Sequence, residues 1–94
     1  MPAFIMAMSI NPTAKRQHSS LSTQINESLD CFKIEGVKLR EIFATMGRYD
    51  CLAVFEANDQ GVAFRIASSI NSKGILETET WPVIPFDDFS QLVG

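Results

Sequence analysis

Metal-binding side chains are scarce in this chain. It has two cysteines, Cys31 and Cys51, and one histidine, His18. No C-x-x-C pair and no Cys–His spacing occurs, which excludes the usual zinc arrangements. The five glycines are spread along 94 residues, and none builds a phosphate-cradling loop. No metal and no cofactor is therefore expected. Positive charge is short as well. Eight Lys and Arg stand against eleven Asp and Glu, for a net charge of −3. Only Lys15 and Arg16 are adjacent, and a lone basic pair is a solvated loop before it is a phosphate clamp. Nucleic acid is excluded as a partner on these grounds. The apolar run Phe4 to Met8 has no basic segment before it. It is too short for a signal peptide core or a membrane span. Two thiols without a partner pattern fit a reducing compartment, so a cytoplasmic protein is expected.

What is present is an ordinary globular composition. Hydrophobic residues make up 46% and charged residues 20%, which argues against disorder. Residues 1–94 are expected to form a single domain with one core.

Ala3 to Ile10 is almost wholly apolar and stops at Asn11-Pro12. It reads as a short strand buried on both faces. Asn11 to Ser20 is polar and reads as a loop. Leu21, Ile25, Leu29 and Phe32 then recur at helical spacing. A helix from about Ser20 to Glu35 is predicted, with Ser19 or Ser20 as its cap and Gly36 as its C′ residue.

Val37 to Thr45 alternates: Val37, Leu39, Glu41 and Phe43 on one side, Lys38, Arg40, Ile42 and Ala44 on the other. Met46-Gly47-Arg48 reads as a turn with positive φ at Gly47. Tyr49 to Ala57 completes an antiparallel hairpin. Asn58-Asp59 caps a second helix, whose Ala63, Ile66, Ala67 and Ile70 share a face. Asn71 to Gly74 ends it. Ile75 to Val83 is a fourth strand. After Pro82 and Pro85, Asp87 and Asp88 sit at the start of a short last helix with Phe89, Leu92 and Val93.

The order β-α-β-β-α-β plus a terminal helix is the ferredoxin-like plan of an α+β protein. Strands one and three are central in that plan. Charges concentrate on strands two and four, as edge protection requires. Two helices cover only one face of such a sheet, and the other face should be polar. It is not. Strand one is apolar on both sides, with Phe4, Met6, Met8 and Ile10 opposing Ala3, Ile5 and Ala7, and so is strand three, with Tyr49, Cys51, Ala53 and Phe55 opposing Leu52 and Val54. The open face needs cover, and a second copy under twofold symmetry is the simplest. The alternative cover is the terminal helix folding back.

Thr45-Met46-Gly47-Arg48-Tyr49-Asp50, followed by an apolar strand and Glu56-Ala57, resembles the signature of the GYD family. The Gly, Tyr and Asp of that name are Gly47, Tyr49 and Asp50 here. Glu77-Thr78-Glu79-Thr80 is also similar to the family's pattern. The resemblance spans most of the chain. It implies a small bacterial protein with a ferredoxin-like fold paired into a dimeric α/β barrel. It implies no established activity.

The candidate ligand site is Gly47, Arg48, Tyr49 and Asp50, with Trp81 beyond Glu77 and Glu79 on the fourth strand. Tyr49 offers a hydrogen bond, Arg48 pairs a carboxylate, and Asp50 orients either. Turn chemistry accounts for the same residues: Gly47 sets the turn and Asp50 bonds a backbone amide. His18 has no acid beside it in sequence, and no nucleophile motif is present. Glu77 and Glu79 share a strand face, which suits acid–base work when buried and edge protection when exposed. Met6 and Met8 are core or dimer filler. The favoured reading is a small-molecule binding or regulatory module acting as a homodimer. The alternatives are a cofactor-free oxygenase-like enzyme, by fold analogy, and a purely structural interaction protein.

Overall fold

The computed structural model describes residues 1–12 and 20–94. His18, Lys15, Arg16 and the proposed cap Ser19 lie outside the described residues. The elements are β1 (Ala3–Ile10), α1 (Leu21–Leu29), a 3-10 turn (Asp30–Phe32), β2 (Val37–Ala44), β3 (Cys51–Ala57), α2 (Gln60–Ser72), β4 (Leu76–Val83) and α3 (Phe86–Leu92). The four strands form one antiparallel sheet in the order β2-β3-β1-β4. This is the ferredoxin-like α+β plan, with β1 and β3 central as expected.

The first helix is shorter than its apolar spacing predicts. It ends at Leu29, and the chain tightens into the 3-10 turn. Lys33 N–H donates to the Asp30 carbonyl at 2.9 Å, three residues back. The tighter winding turns Phe32 inward, where its ring meets Phe55 edge-on at 5.1 Å. Tertiary packing has overridden the helical period. At the other end, Ser20 stands at the N-cap without a side-chain cap bond. Gly36 does take positive φ, at 85°, but at the entry to β2 rather than as the helix's C′ residue. A side chain there would strike Asn58, with Cβ only 2.6 Å from Nδ2.

The second helix begins as its sequence predicts. Asp59 accepts from Val62 N–H at 2.9 Å, which satisfies one of the four free donors of a helix start. Its Ala63, Ile66 and Ile70 pack onto Phe4, Met6, Met8, Ala53, Phe55 and Ala57. These side chains are the core, and Met6, Phe55 and Ile70 are wholly inaccessible.

Strict alternation fails in β2. The register shifts between Leu39 and Glu41, leaving Arg40 without a partner opposite. An extra residue in one strand moves everything after it to the other face. Val37, Leu39, Ile42 and Ala44 therefore share the helix side. Lys38, Glu41 and Phe43 share the open side, which corrects the expected grouping.

The open face is a grid of cross-strand rows. One row reads Phe43, Leu52, Ala7 and Glu79, and the next Glu41, Val54, Ile5 and Trp81. Its centre is apolar, and Phe43 is half exposed at one edge. None of the described helices packs across it. The C-terminal helix does not fold back over this face, so the alternative cover weighed from sequence is absent. α3 instead extends from the body, with Phe86, Phe89 and Leu92 exposed.

Candidate functional site

The β2–β3 connection carries most of the residues singled out from sequence. It is closed by Thr45 N–H donating to the Asp50 carbonyl at 2.9 Å. The Thr45 hydroxyl also donates to the Tyr49 carbonyl. Gly47 sits at the tip with negative φ and nothing within 4 Å of a would-be Cβ. The expected positive φ is not found there, because four residues between Thr45 and Asp50 leave the loop room to turn without it.

Asp50 fastens the loop to β1. Its N–H donates to the Met8 carbonyl at 2.8 Å, and its Oδ2 accepts from Ile10 N–H at 2.7 Å. These bonds hold the end of a central strand and fix where Tyr49 emerges. The Asp50 carboxylate is thus engaged by backbone.

Tyr49 reaches from the β2–β3 connection to β4. Its hydroxyl donates to Glu79 Oε2, with β1 lying between the two strands. The span is two inter-strand gaps, roughly 9–10 Å, and Ala7 in the middle of the row is small and fully buried. Trp81 Nε1 donates to the other carboxylate oxygen, Oε1, at 2.9 Å. The two rings meet edge-on, centroids 6.1 Å apart at 77°. The Arg48 guanidinium lies 5.9 Å from the Tyr49 ring centroid, within reach of a cation–π contact.

The electrostatics follow from these bonds. The Glu79 carboxyl is held below its ordinary value, first by the Tyr49 hydrogen bond and then by the Trp81 one, with Arg48 adding to both. Tyr49 is raised above its ordinary value, chiefly because its proton is committed to Glu79. The tyrosine is thus a donor already spent. What the cluster still presents is acceptor capacity on the Tyr49 and Glu79 oxygens, one guanidinium, and two aromatic rings.

Of the five residues expected at the site, the structure brings Arg48, Tyr49 and Trp81 together. Gly47 and Asp50 shape the loop beneath them. Glu79 is the member that sequence reasoning left out of the site. Its separation of thirty residues from Tyr49 hides the contact. The available signal was the two-residue spacing of Glu77, Glu79 and Trp81 on one strand face. At the opposite end of the face, Arg40 at the bulge pairs with Glu56 and pulls that carboxyl below its usual range. Cys51 lies beside the loop, and burial pushes its thiol up, which makes it a poor nucleophile.

The model of the GYD domain matches residues 4–93. The chain belongs to the GYD domain family. No curated protein matches the chain in sequence. Among solved structures it is similar to a feast or famine regulatory protein from M. tuberculosis complexed with L-methionine. That likeness has a TM-score of 0.63 and 8% identity, and covers 90% of this chain and 51% of that one. It is also similar to the leucine response regulatory protein of Mycobacterium tuberculosis. There the TM-score is 0.61 and the identity 9%, covering 89% of this chain and 51% of that one. The chain spans about half the length of each, and the likeness is one of fold. No described helix is long and apolar enough to cross a membrane.

Proposed function

We propose that this member of the GYD domain family is a small-molecule binding or regulatory module that works as a cytoplasmic homodimer, residues 1–94 acting as one domain. The observation that carries the reading is the Tyr49–Glu79–Trp81 cluster set beside an uncovered apolar sheet face. A second sheet laid on that face would enclose the half-buried Ile5, Leu52 and Val54 as the floor of a shared cavity. Polar groups converging on an apolar cavity are the usual form of a ligand site.

The cluster selects the ligand's chemistry. With the Tyr49 proton and the Trp81 N–H both given to Glu79, the site offers acceptors to a donor such as an ammonium. Arg48 suits a carboxylate, and the apolar floor suits a hydrocarbon side chain. A free amino acid has all three. That one fold neighbour is described in complex with L-methionine makes amino acids the first probes.

Isothermal titration of L-methionine and L-leucine into the full chain tests the reading. Saturable binding is expected, weakened at least tenfold in Arg48→Ala and in Glu79→Gln. Equal affinities in all three proteins would remove the cluster from the site. No heat with either probe would leave these amino acids excluded as its ligands.

A further inference from the structure

We propose that α3 is an exchanged clasp, seating its apolar face in the groove between α2 and β4 of a second copy of this chain. The proposal rests on the homodimer reading above and adds a second contact to it.

Two surfaces left uncovered by the described elements carry it. The first is α3 itself. Phe86, Phe89 and Val93 recur at i, i+3 and i+7, with Leu92 on the flank, and Asp87, Asp88 and Gln91 lie on the opposite side. Such a stripe marks a helix that packs against something. Nothing among the described elements packs on it to the extent seen within the body. Phe86 is 75% exposed and Leu92 76%. A helix this short is marginal in water on its own.

The second surface is a groove of about 720 Å³ along one side of α2. Its walls include Phe4, Ala63, Phe64, Ala67 and Pro82, and no charged residue among those described lines it. Phe64 stands 74% exposed at its rim, on a helix whose other aliphatic residues point into the core. Thr80 lines the groove, and its hydroxyl is buried without a hydrogen-bond partner among the described residues.

The two surfaces match. The groove runs along α2 from Gln60 to Ser72, roughly 20 Å, while the seven residues of α3 need roughly 10 Å. An amphipathic helix anchored at i, i+3 and i+7 is the standard occupant of an apolar groove. Ser90, four residues after Phe86, shares the apolar face and brings a hydroxyl to partner Thr80. The acidic side of α3 stays in water. Area supports a second copy as the source of the helix. Each large aromatic buries roughly 150–250 Å², so a clasp reaches several hundred. A twofold dimer makes two clasps, and with the sheet face these reach the roughly 800 Å² per partner of a stable interface.

Disulfide trapping tests this in the full chain with Cys31→Ser and Cys51→Ser. One preparation carries Phe64→Cys and another Phe89→Cys, and the two are mixed under mild oxidation. A crosslink between unlike chains, at least tenfold over either preparation alone, is expected. Sedimentation velocity on the same samples separates the failures. A dimer without the crosslink overturns the clasp and leaves the sheet-face dimer standing. A monomer overturns both. A chain carrying both cysteines that closes on itself overturns the exchange. In the otherwise native chain, Phe86→Asp with Phe89→Asp should raise the dimer dissociation constant at least tenfold with an unchanged circular dichroism spectrum. An unchanged constant also overturns the clasp.

Discussion

Tyr49 gives its phenolic proton to Glu79, and that one bond sets the chemistry of the cluster. Tyr49 and Trp81 are the chain's single tyrosine and single tryptophan, so each reports without interference. Glu79 is held below its ordinary 4.5 in the folded chain. The stabilisation from its ionised form is therefore complete above 4.5 and lost as pH falls through the lower folded value. An acid titration of Trp81 fluorescence should show a midpoint below 4.5, absent in Glu79→Gln. A midpoint at or above 4.5 would mean the two hydrogen bonds are not made. Tyr49 shows the opposite sign. Raised above 10.0 by the same bond, its phenolate absorbance should appear at higher pH in the native chain than in Glu79→Gln. The loop residues divide in a different way. Asp50→Ala removes the acceptor of Ile10 N–H and should cost roughly 1 kcal/mol by urea unfolding. Gly47→Ala should be neutral or stabilising by roughly 0.4–1 kcal/mol, since its φ suits any residue and its side chain meets only water. Gly36→Ala should destabilise, because the position combines positive φ with the Asn58 contact. The glycine of the signature motif is thus the freer of the two. Sequence could name Tyr49 and Trp81 but not the carboxylate between them, since pairing across two strands leaves no local trace.

At the scale of elements, periodicity was readable wherever one face alone decided burial. The α2 stripe, the Asp59 cap and the order of strands follow from pattern and propensity. Asp59→Ala should cost about 1 kcal/mol for the lost cap, measured by thermal or urea unfolding. Two elements departed from their pattern, each for a tertiary reason. The first helix gives up its last turn so that Phe32 reaches Phe55. The second strand bulges at Arg40, and the guanidinium meets Glu56 there. Neither event changes composition or spacing, so neither is visible without the partner residue. The bulge has a functional consequence. It turns Phe43 to the open face and puts an aromatic at one end of the row that Glu79 closes at the other. Deleting Arg40 should remove the bulge and leave Phe43 opposite Leu52 on the open face. The result is readable by hydrogen exchange as an unbroken ladder along β2.

At the scale of the whole molecule, the chain is longer than its size requires. Its radius of gyration is 14.4 Å, against about 12 Å for a compact chain of this length. α3 extends from the body with Phe86, Phe89 and Leu92 exposed, and no described helix covers the open sheet face. An apolar face and an apolar helix that the described residues leave without cover both favour association. Val54→Glu, in the centre of the open face, should turn a dimer into a monomer while leaving the core residues Phe4, Met6 and Phe55 untouched. The proposed homodimer closes its open sheet faces over a ligand site. Native mass spectrometry of freshly purified full-length chain tests that most directly, because it reports assembly mass and any retained small molecule together. A dimer carrying the extra mass of a small molecule, lost in Tyr49→Phe, is expected. A monomer with no added mass would contradict it.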